Sequence, residues 1–267
     1  MTTDVAASVR SHLSDDANGR LESIDWFETL DSTNDYLLAA PRPAAAMLRA
    51  AIADEQTAGR GRDDKRWVSS AGGGLWLSVA YTFEPTPLAL NTLTLAVGCD
   101  VARCLADFGA AGVRLKWPND LMLDDRKLGG ILVESRTAAA SCTVVCGIGI
   151  NLREPETAQF EGREQLMLPV GLEFVVDALP AIDELAARVI GRLIGTFDRF
   201  AAVGLAGFSA DWSELDWLRG RSVTMIGEPH IKGTADGITG DGELLIRNDD
   251  LDFRVVSGTV RLADAGE

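Results

Sequence analysis

Lysine and histidine are scarce in this chain. Of its 25 basic residues only Lys65, Lys116, Lys127 and Lys232 are lysine, and 40 acidic residues bring the formal net charge to −15. So acidic a balance excludes a general nucleic-acid-binding surface, because phosphate neutralisation needs a basic face. It fits a salt-rich setting or simple solubility equally well. His12 and His230 are the two histidines and stand far apart, which leaves little room for a Ser–His–Asp scheme. The four cysteines fall as Cys99/Cys104 and Cys142/Cys146. Neither spacing is Cys-x-x-Cys, so a zinc site or redox pair is not expected, and their apolar flanks read as buried free thiols. No apolar run approaches the roughly 18–20 residues that span a bilayer. The N-terminus lacks the basic-then-apolar layout of a secretory signal. The expectation is a cytoplasmic protein with neither a membrane nor a nucleic-acid partner.

The chain does have enough apolar residues for a core: 46% are hydrophobic over 267 residues, enough for one large or two modest domains. Residues 1–22 are polar and read as a flexible leader. Ser32 and Asp35, at capping-box spacing, predict a helix start. Met47–Ala53 reads as a buried strand and Asp54–Ser70 as a Gly- and Arg-dense loop. Leu75–Phe83 reads as a strand with partial alternation, and Pro87 to about Phe108 as a helix. Val113–Leu123 and Lys127–Glu134 read as a strand pair turning at Asp124-Asp125-Arg126, and Thr143–Leu152 as a further strand. After Pro180 an amphipathic helix carries Ile182, Leu185, Val189, Leu193, Phe197 and Phe200 on one stripe. A short helix with two tryptophans follows around Phe208–Leu218. From Arg221 to Leu262, short strands between glycines, Gly227 among them, predict a small β-barrel.

Three segments could carry chemistry. In Gln56-Thr57-Ala58-Gly59-Arg60-Gly61-Arg62-Asp63-Asp64-Lys65-Arg66-Trp67, four cations fall within seven residues around two glycines. Such an island can hold a phosphate or carboxylate; the plainer reading is a solvated loop pairing its own aspartates. Lys116-Trp117-Pro118-Asn119-Asp120 and Arg126-Lys127-Leu128-Gly129-Gly130-Ile131-Leu132 hold two of the four lysines. A lysine entering so apolar a strand must find a partner, unless it lies on an edge and faces water. Gly147-Ile148-Gly149-Ile150-Asn151 puts glycines in a strand, which weakens it unless something packs on the backbone. No segment matches G-x-x-x-x-G-K-[ST], and Gly72-Gly73-Gly74 precedes a strand rather than following one. Walker A and dinucleotide loops are therefore excluded.

Taken in order, DSTN, EQTAGRGR with Trp67, KWPND, RKLGGILVE and GIGIN resemble the biotin protein ligase family, strongly from Asp31 to Leu152 and by layout beyond. The resemblance implies an α+β fold: a mixed sheet flanked by helices (a class II synthetase-like, biotin–lipoate ligase core) with a small C-terminal SH3-like β-barrel. It implies a catalytic domain at 23–219 and the barrel at 220–267. It also implies a two-step reaction in which biotin and ATP give biotinyl-5′-AMP and pyrophosphate, and a lysine of a biotin carboxyl carrier domain then takes the biotinyl group.

Carried onto matching positions, Ser32, Thr33, Asn34, Gln56, Arg60, Gly61, Arg62, Lys127, Gly129 and Gly130 would meet biotin. Arg60, Arg62, Trp67, Lys116, Asn119, Asp120, Lys127 and Asn151 would meet ATP. Lys127 and Arg62 would be catalytic, neutralising two anionic reactants. Magnesium would ride with the triphosphate, with Asp120 as its first candidate ligand. A homodimer is possible among such relatives. Two departures stand out: Asp63-Asp64-Lys65 replaces the usual glycine-containing tip after GRGR, and about 30 residues before Ser32 are too few for the helix-turn-helix of biotin-sensing repressors. A lipoate or octanoyl transferase of the same fold, and a non-catalytic biotin sensor, are the alternatives.

Overall fold

The computed structural model describes residues 4–63, 65–138, 140–156, 167–226, 231–248 and 251–263. Asp64, Gly227 and His230, singled out above, lie outside the described residues, as do the chain ends.

Seven strands form the main sheet in the order β1-β2-β3-β7-β6-β5-β4: β1 (Leu21–Leu30), β2 (Leu48–Gln56), β3 (Gly74–Phe83), β4 (Val113–Lys116), β5 (Asp120–Leu123), β6 (Arg126–Ala138) and β7 (Ser141–Asn151). β1 and β2 run parallel; the other neighbours run antiparallel. The side-chain period of two divides β3 cleanly. Leu75, Leu77, Val79, Tyr81 and Phe83 join the main core, on the face covered by α4 (Leu93–Asp107) and α5 (Ile182–Val203). Ala80 turns to the other face, where Leu37 of α3 (Thr33–Ala39) packs on it with Ala51 and Val145. All ten β3 residues are buried, so the expected alternation is masked by cover on both faces. Each large apolar side chain so buried contributes about 1.5–3 kcal/mol.

The α5 stripe holds as read, with Leu185, Val189, Leu193, Phe197 and Phe200 buried and Ile182 partly so. α3 starts at Ser32, whose side chain accepts from the Asp35 N–H. Two readings need correction. Residues 4–20, read as part of a flexible leader, hold two helices: α1 (Val5–His12) is capped by Asp4 and buries Val9, and α2 (Asp15–Arg20) is capped by Ser14. A polar composition hid them because only one narrow stripe of α1 meets α5, helped by the bond from Ser8 to Asp183. Second, Val113–Leu123 is two strands, because Trp117-Pro118-Asn119 turns the chain back from β4 to β5. The expected turn at Asp124 then joins β5 to β6.

The change of texture at Arg219 marks the passage from α6 (Ser209–Leu215) to a five-stranded antiparallel sheet. Its strands β8 (Ser222–Ile226), β9 (Lys232–Ile238), β10 (Leu244–Arg247), β11 (Asp252–Val255) and β12 (Thr259–Leu262) pair in the order β11-β10-β9-β8-β12. Val223, Ala235, Leu244, Ile246 and Val260 join the main core, which runs unbroken across this passage. Among the described residues no helix is long and apolar enough to cross a membrane. The four cysteines are free and buried, and burial pushes the Cys104 thiol up to about 11.

Candidate active site

A cleft of about 900 Å³ opens on the α3 face of the sheet, where the period of two brings Trp76, Ser78, Gly130, Leu132, Gly147 and Gly149 to one wall. The glycines have a steric reason. A Cβ at Gly147 would stand 2.4 Å from Asn34 Oδ1, and one at Gly149 would stand 2.7 Å from the Trp67 ring. The strand therefore gives up two side chains to seat an amide and an indole, at some loss of strand stability.

One end of the cleft is neutral and polar. Ser32, Thr33, Asn34, Gln56 and Ser78 are all buried. Thr33 N–H donates to Gln56 Oε1 at 2.9 Å, Thr33 Oγ1 lies 2.7 Å from Ser78 Oγ, and Ser78 Oγ donates to Asn34 Oδ1 at 2.6 Å. Asn34 Nδ2 donates to Glu134 Oε2 at 2.9 Å. Groups this deep must be satisfied, since each orphan costs about 1–3 kcal/mol.

The other end is charged. Lys127 Nζ lies 2.5 Å from Asp120 Oδ1, and Lys116 Nζ lies 3.9 Å from Asp120 Oδ2. Burial pushes the Lys116 ammonium below its ordinary pKa against the pull of Asp120. Burial would raise Asp120, but Lys127 and Lys116 outweigh it and hold the carboxyl below its usual range. Lys127 also stands 5.5 Å from the centroid of the Trp67 ring. One carboxylate between two ammonium groups leaves the cluster with an excess positive charge, suited to an incoming anion.

The loop after β2 crosses this cleft as a tight hairpin. Gly61 N–H donates to Lys65 O at 2.7 Å and Trp67 N–H to Gly59 O at 2.8 Å, with Asp63 at φ +55°. Arg60 is bonded to Asp35 of α3 and, at 2.8 Å, to Glu134 of β6. Lys65 Nζ reaches Thr259 Oγ1 of β12 at 3.4 Å, and Thr259, Val260 and Arg261 help line the cleft. Trp117 Nε1 donates to Gly242 O at 3.0 Å and ties the same small sheet to the turn between β4 and β5.

Residues 26–151 match the biotin/lipoate A/B protein ligase family. Over 251 residues the chain is 36% identical to the bifunctional ligase/repressor BirA of Escherichia coli K12, covering 91% of this chain and 75% of that protein. The chain belongs to the biotin protein ligase family. A biotin–[acetyl-CoA-carboxylase] ligase of Mycobacterium tuberculosis is 34% identical over 176 residues, covering 64% of this chain and 62% of that one. The solved biotin protein ligase of Aquifex aeolicus in complex with biotin and ATP matches with a TM-score of 0.75 at 26% identity. That match covers 91% of this chain and all of the other.

Of the residues the ligase motifs singled out, Ser32, Thr33, Asn34, Gln56, Arg60, Gly61, Arg62, Trp67, Lys116, Asn119, Asp120, Lys127, Gly130 and Asn151 line this one cleft. Gly129 does not; a Cβ there would meet Gly149 O at 2.4 Å, so its smallness serves strand packing. Asn119 and Asn151 are tied to the backbone, Asn119 Nδ2 to Ile131 O at 2.9 Å and Asn151 Nδ2 to Val170 O at 3.2 Å. Asp120 is an awkward magnesium ligand, because a cation there would have to displace an ammonium group. Among the described residues no cluster of three or more metal-ligating side chains occurs. Sequence reasoning missed Ser78, Glu134 and the β12 residues. Glu134 closes the RKLGGILVE motif and Ser78 is the lone serine of an apolar strand, so both left a trace.

Proposed function

We propose that this cleft runs both half-reactions of an ATP-dependent biotin ligase. Biotin's carboxylate oxygen attacks the α-phosphorus of ATP, the bond to the bridging oxygen of pyrophosphate breaks, and biotinyl-5′-AMP forms. A neutral lysine amine on a biotin carboxyl carrier domain then attacks the acyl carbon. AMP leaves, the amine gives up a proton, and an amide remains. The observation that carries this reading is the pairing, in one cleft, of a neutral hydrogen-bonding end with the Lys116–Asp120–Lys127 cluster. A cyclic urea suits the first and a carboxylate beside a phosphate suits the second.

Thr33, Asn34 and Gln56 hold the urea head. Lys127 and Arg62 neutralise the two anions as they approach and stabilise the charge that grows on the phosphorus oxygens. Lys116 stands on the nucleotide side, and Asn119 and Asn151 shape it through their backbone ties. Magnesium enters with the ATP phosphates as part of the substrate. Trp67 and the 57–67 hairpin exclude water from the anhydride, which would otherwise hydrolyse. Arg60 acts as the clasp of that hairpin through Asp35 and Glu134.

The test is pyrophosphate release on mixing with biotin and ATP, followed by transfer of labelled biotin to the lysine of a carrier domain. Absence of biotinyl-5′-AMP would sink the reading.

A further inference from the structure

We propose that Glu134 sets the direction of hydrogen bonding at the neutral end of the cleft, and so makes the Thr33 hydroxyl an acceptor for a ligand N–H. The inference rests on the biotin reading above and adds a positioning residue to it.

A carboxylate only accepts. Glu134 Oε2 takes a donor from Asn34 Nδ2 at 2.9 Å, and Oε1 takes one from Arg60 Nη2 at 2.8 Å. Asn34 Nδ2 also points at Leu132 O, 3.4 Å away. Two acceptors on one side leave the Asn34 amide a single orientation, with Oδ1 turned to Ser78. The Ser78 hydroxyl must then donate to it, at 2.6 Å. A serine has one hydroxyl proton, so Ser78 Oγ can only accept across its 2.7 Å contact with Thr33 Oγ1. The other partner within reach of the Thr33 proton, Gln56 Oε1 at 3.1 Å, is an acceptor too, so that proton is spent inside the network either way. Thr33 has no second proton to give, so towards a ligand in the cleft that this residue lines its oxygen can only accept.

At the far end of the chain the polarity is fixed again. Gln56 Oε1 is held by the Thr33 backbone N–H at 2.9 Å, which can only donate, so Gln56 Nε2 is left as a donor. An acceptor beside a donor matches the N–H and C=O of a cyclic urea. A ligand presenting oxygen where the urea has N–H would set two acceptors against each other. Gly147 completes the device, since any side chain there would occupy the space of Asn34 Oδ1.

The experiment uses the whole chain and calorimetric titration with biotin, with ATP, and with the two cyclic carbamate analogues in which one ring N–H is replaced by oxygen. Wild type should prefer biotin over one of the two carbamates by about tenfold, the worth of one hydrogen bond. Glu134→Gln can turn its amide either way, so the relay loses its direction. Biotin should weaken by about tenfold, that preference should shrink, and ATP affinity should not change. Ser78→Ala removes the middle of the relay, should do the same, and keeps the test alive should Glu134→Gln fail to fold. The double variant should be no worse than the poorer single one, because both break one network. A folded Glu134→Gln protein with wild-type biotin affinity and an unchanged preference overturns the proposal, as do additive losses in the double variant. Failure of wild type to bind biotin would instead strike at the ligase reading itself.

Discussion

The two ends of the cleft solve the same problem, burying polar groups, in opposite ways. At the Thr33 end neutral groups bond one another in a chain that runs from Gln56 and is anchored on the Glu134 carboxylate. At the Lys127 end charges do the work, with one carboxylate shared unequally by two ammonium groups. The first end is ordered before any ligand arrives, with Gln56 Nε2 and Thr33 Oγ1 left to meet one, so a ligand fits it by shape and hydrogen-bond polarity. The second is left with positive charge to spare, so an anion completes it. On the function proposed above, specificity belongs to the neutral end and chemistry to the charged end, which is the division that differential stabilisation of a transition state favours.

The sharpest way to break this division is Lys127→Ala. Adenylate formation should fall by about 10²–10³-fold, while biotin affinity falls far less. Pyrophosphate release and calorimetry measure the two separately, and equal losses in both would dissolve the contrast. Asp120→Asn comes next. It removes the carboxylate between Lys116 and Lys127, so the unliganded protein should lose about 2 kcal/mol of stability. ATP should recover part of that, seen as a larger ATP-induced rise in Tm than in wild type. Gly147→Ala addresses the neutral end. Its Cβ collides with Asn34 Oδ1, and biotin affinity should drop by about tenfold, or roughly 1.4 kcal/mol, with ATP affinity intact.

These ends were unequally legible in the sequence. The charged end announced itself, because in a chain with four lysines two of them fall beside one aspartate on adjoining strands. The neutral end showed its first members in DSTN and Gln56, but Ser78 looked like one polar residue in a strand. Its meaning depends on the pairing of β3 with β7, which sets Ser78 opposite Gly147, and that register is a long-range fact. Gly129 was misread for the converse reason: a glycine beside a ligand and a glycine beside another strand look alike until the partner strand is known. The helices α1 and α2 were missed because their stability comes from docking against the body of the protein rather than from their own composition. Contacts from β12 to the 57–67 hairpin are set by tertiary packing alone.

The smallest expected effect separates the two ends by pH. Asp120 is held below its ordinary value of 3.8, with Lys127 and Lys116 outweighing its burial. Its contribution to stability is therefore fully present above the unfolded value and is lost as pH falls through the folded one. Lys116 is lowered from 10.5 by burial. Between its folded value and 10.5 the unfolded chain holds more protons, so stability rises with pH across that window. The Ser78–Thr33–Asn34 chain has no titrating member of its own and meets a carboxylate only at Glu134, which Ser78→Ala leaves in place with its Arg60 partner. Asp120→Asn should accordingly flatten the decline of Tm below pH 3.8, whereas Ser78→Ala should lower the whole curve and leave its slope unchanged. If Ser78→Ala flattened the acid limb as well, the neutral end would be electrostatically coupled to the charged one, and the two could no longer be treated as independent halves of the cleft.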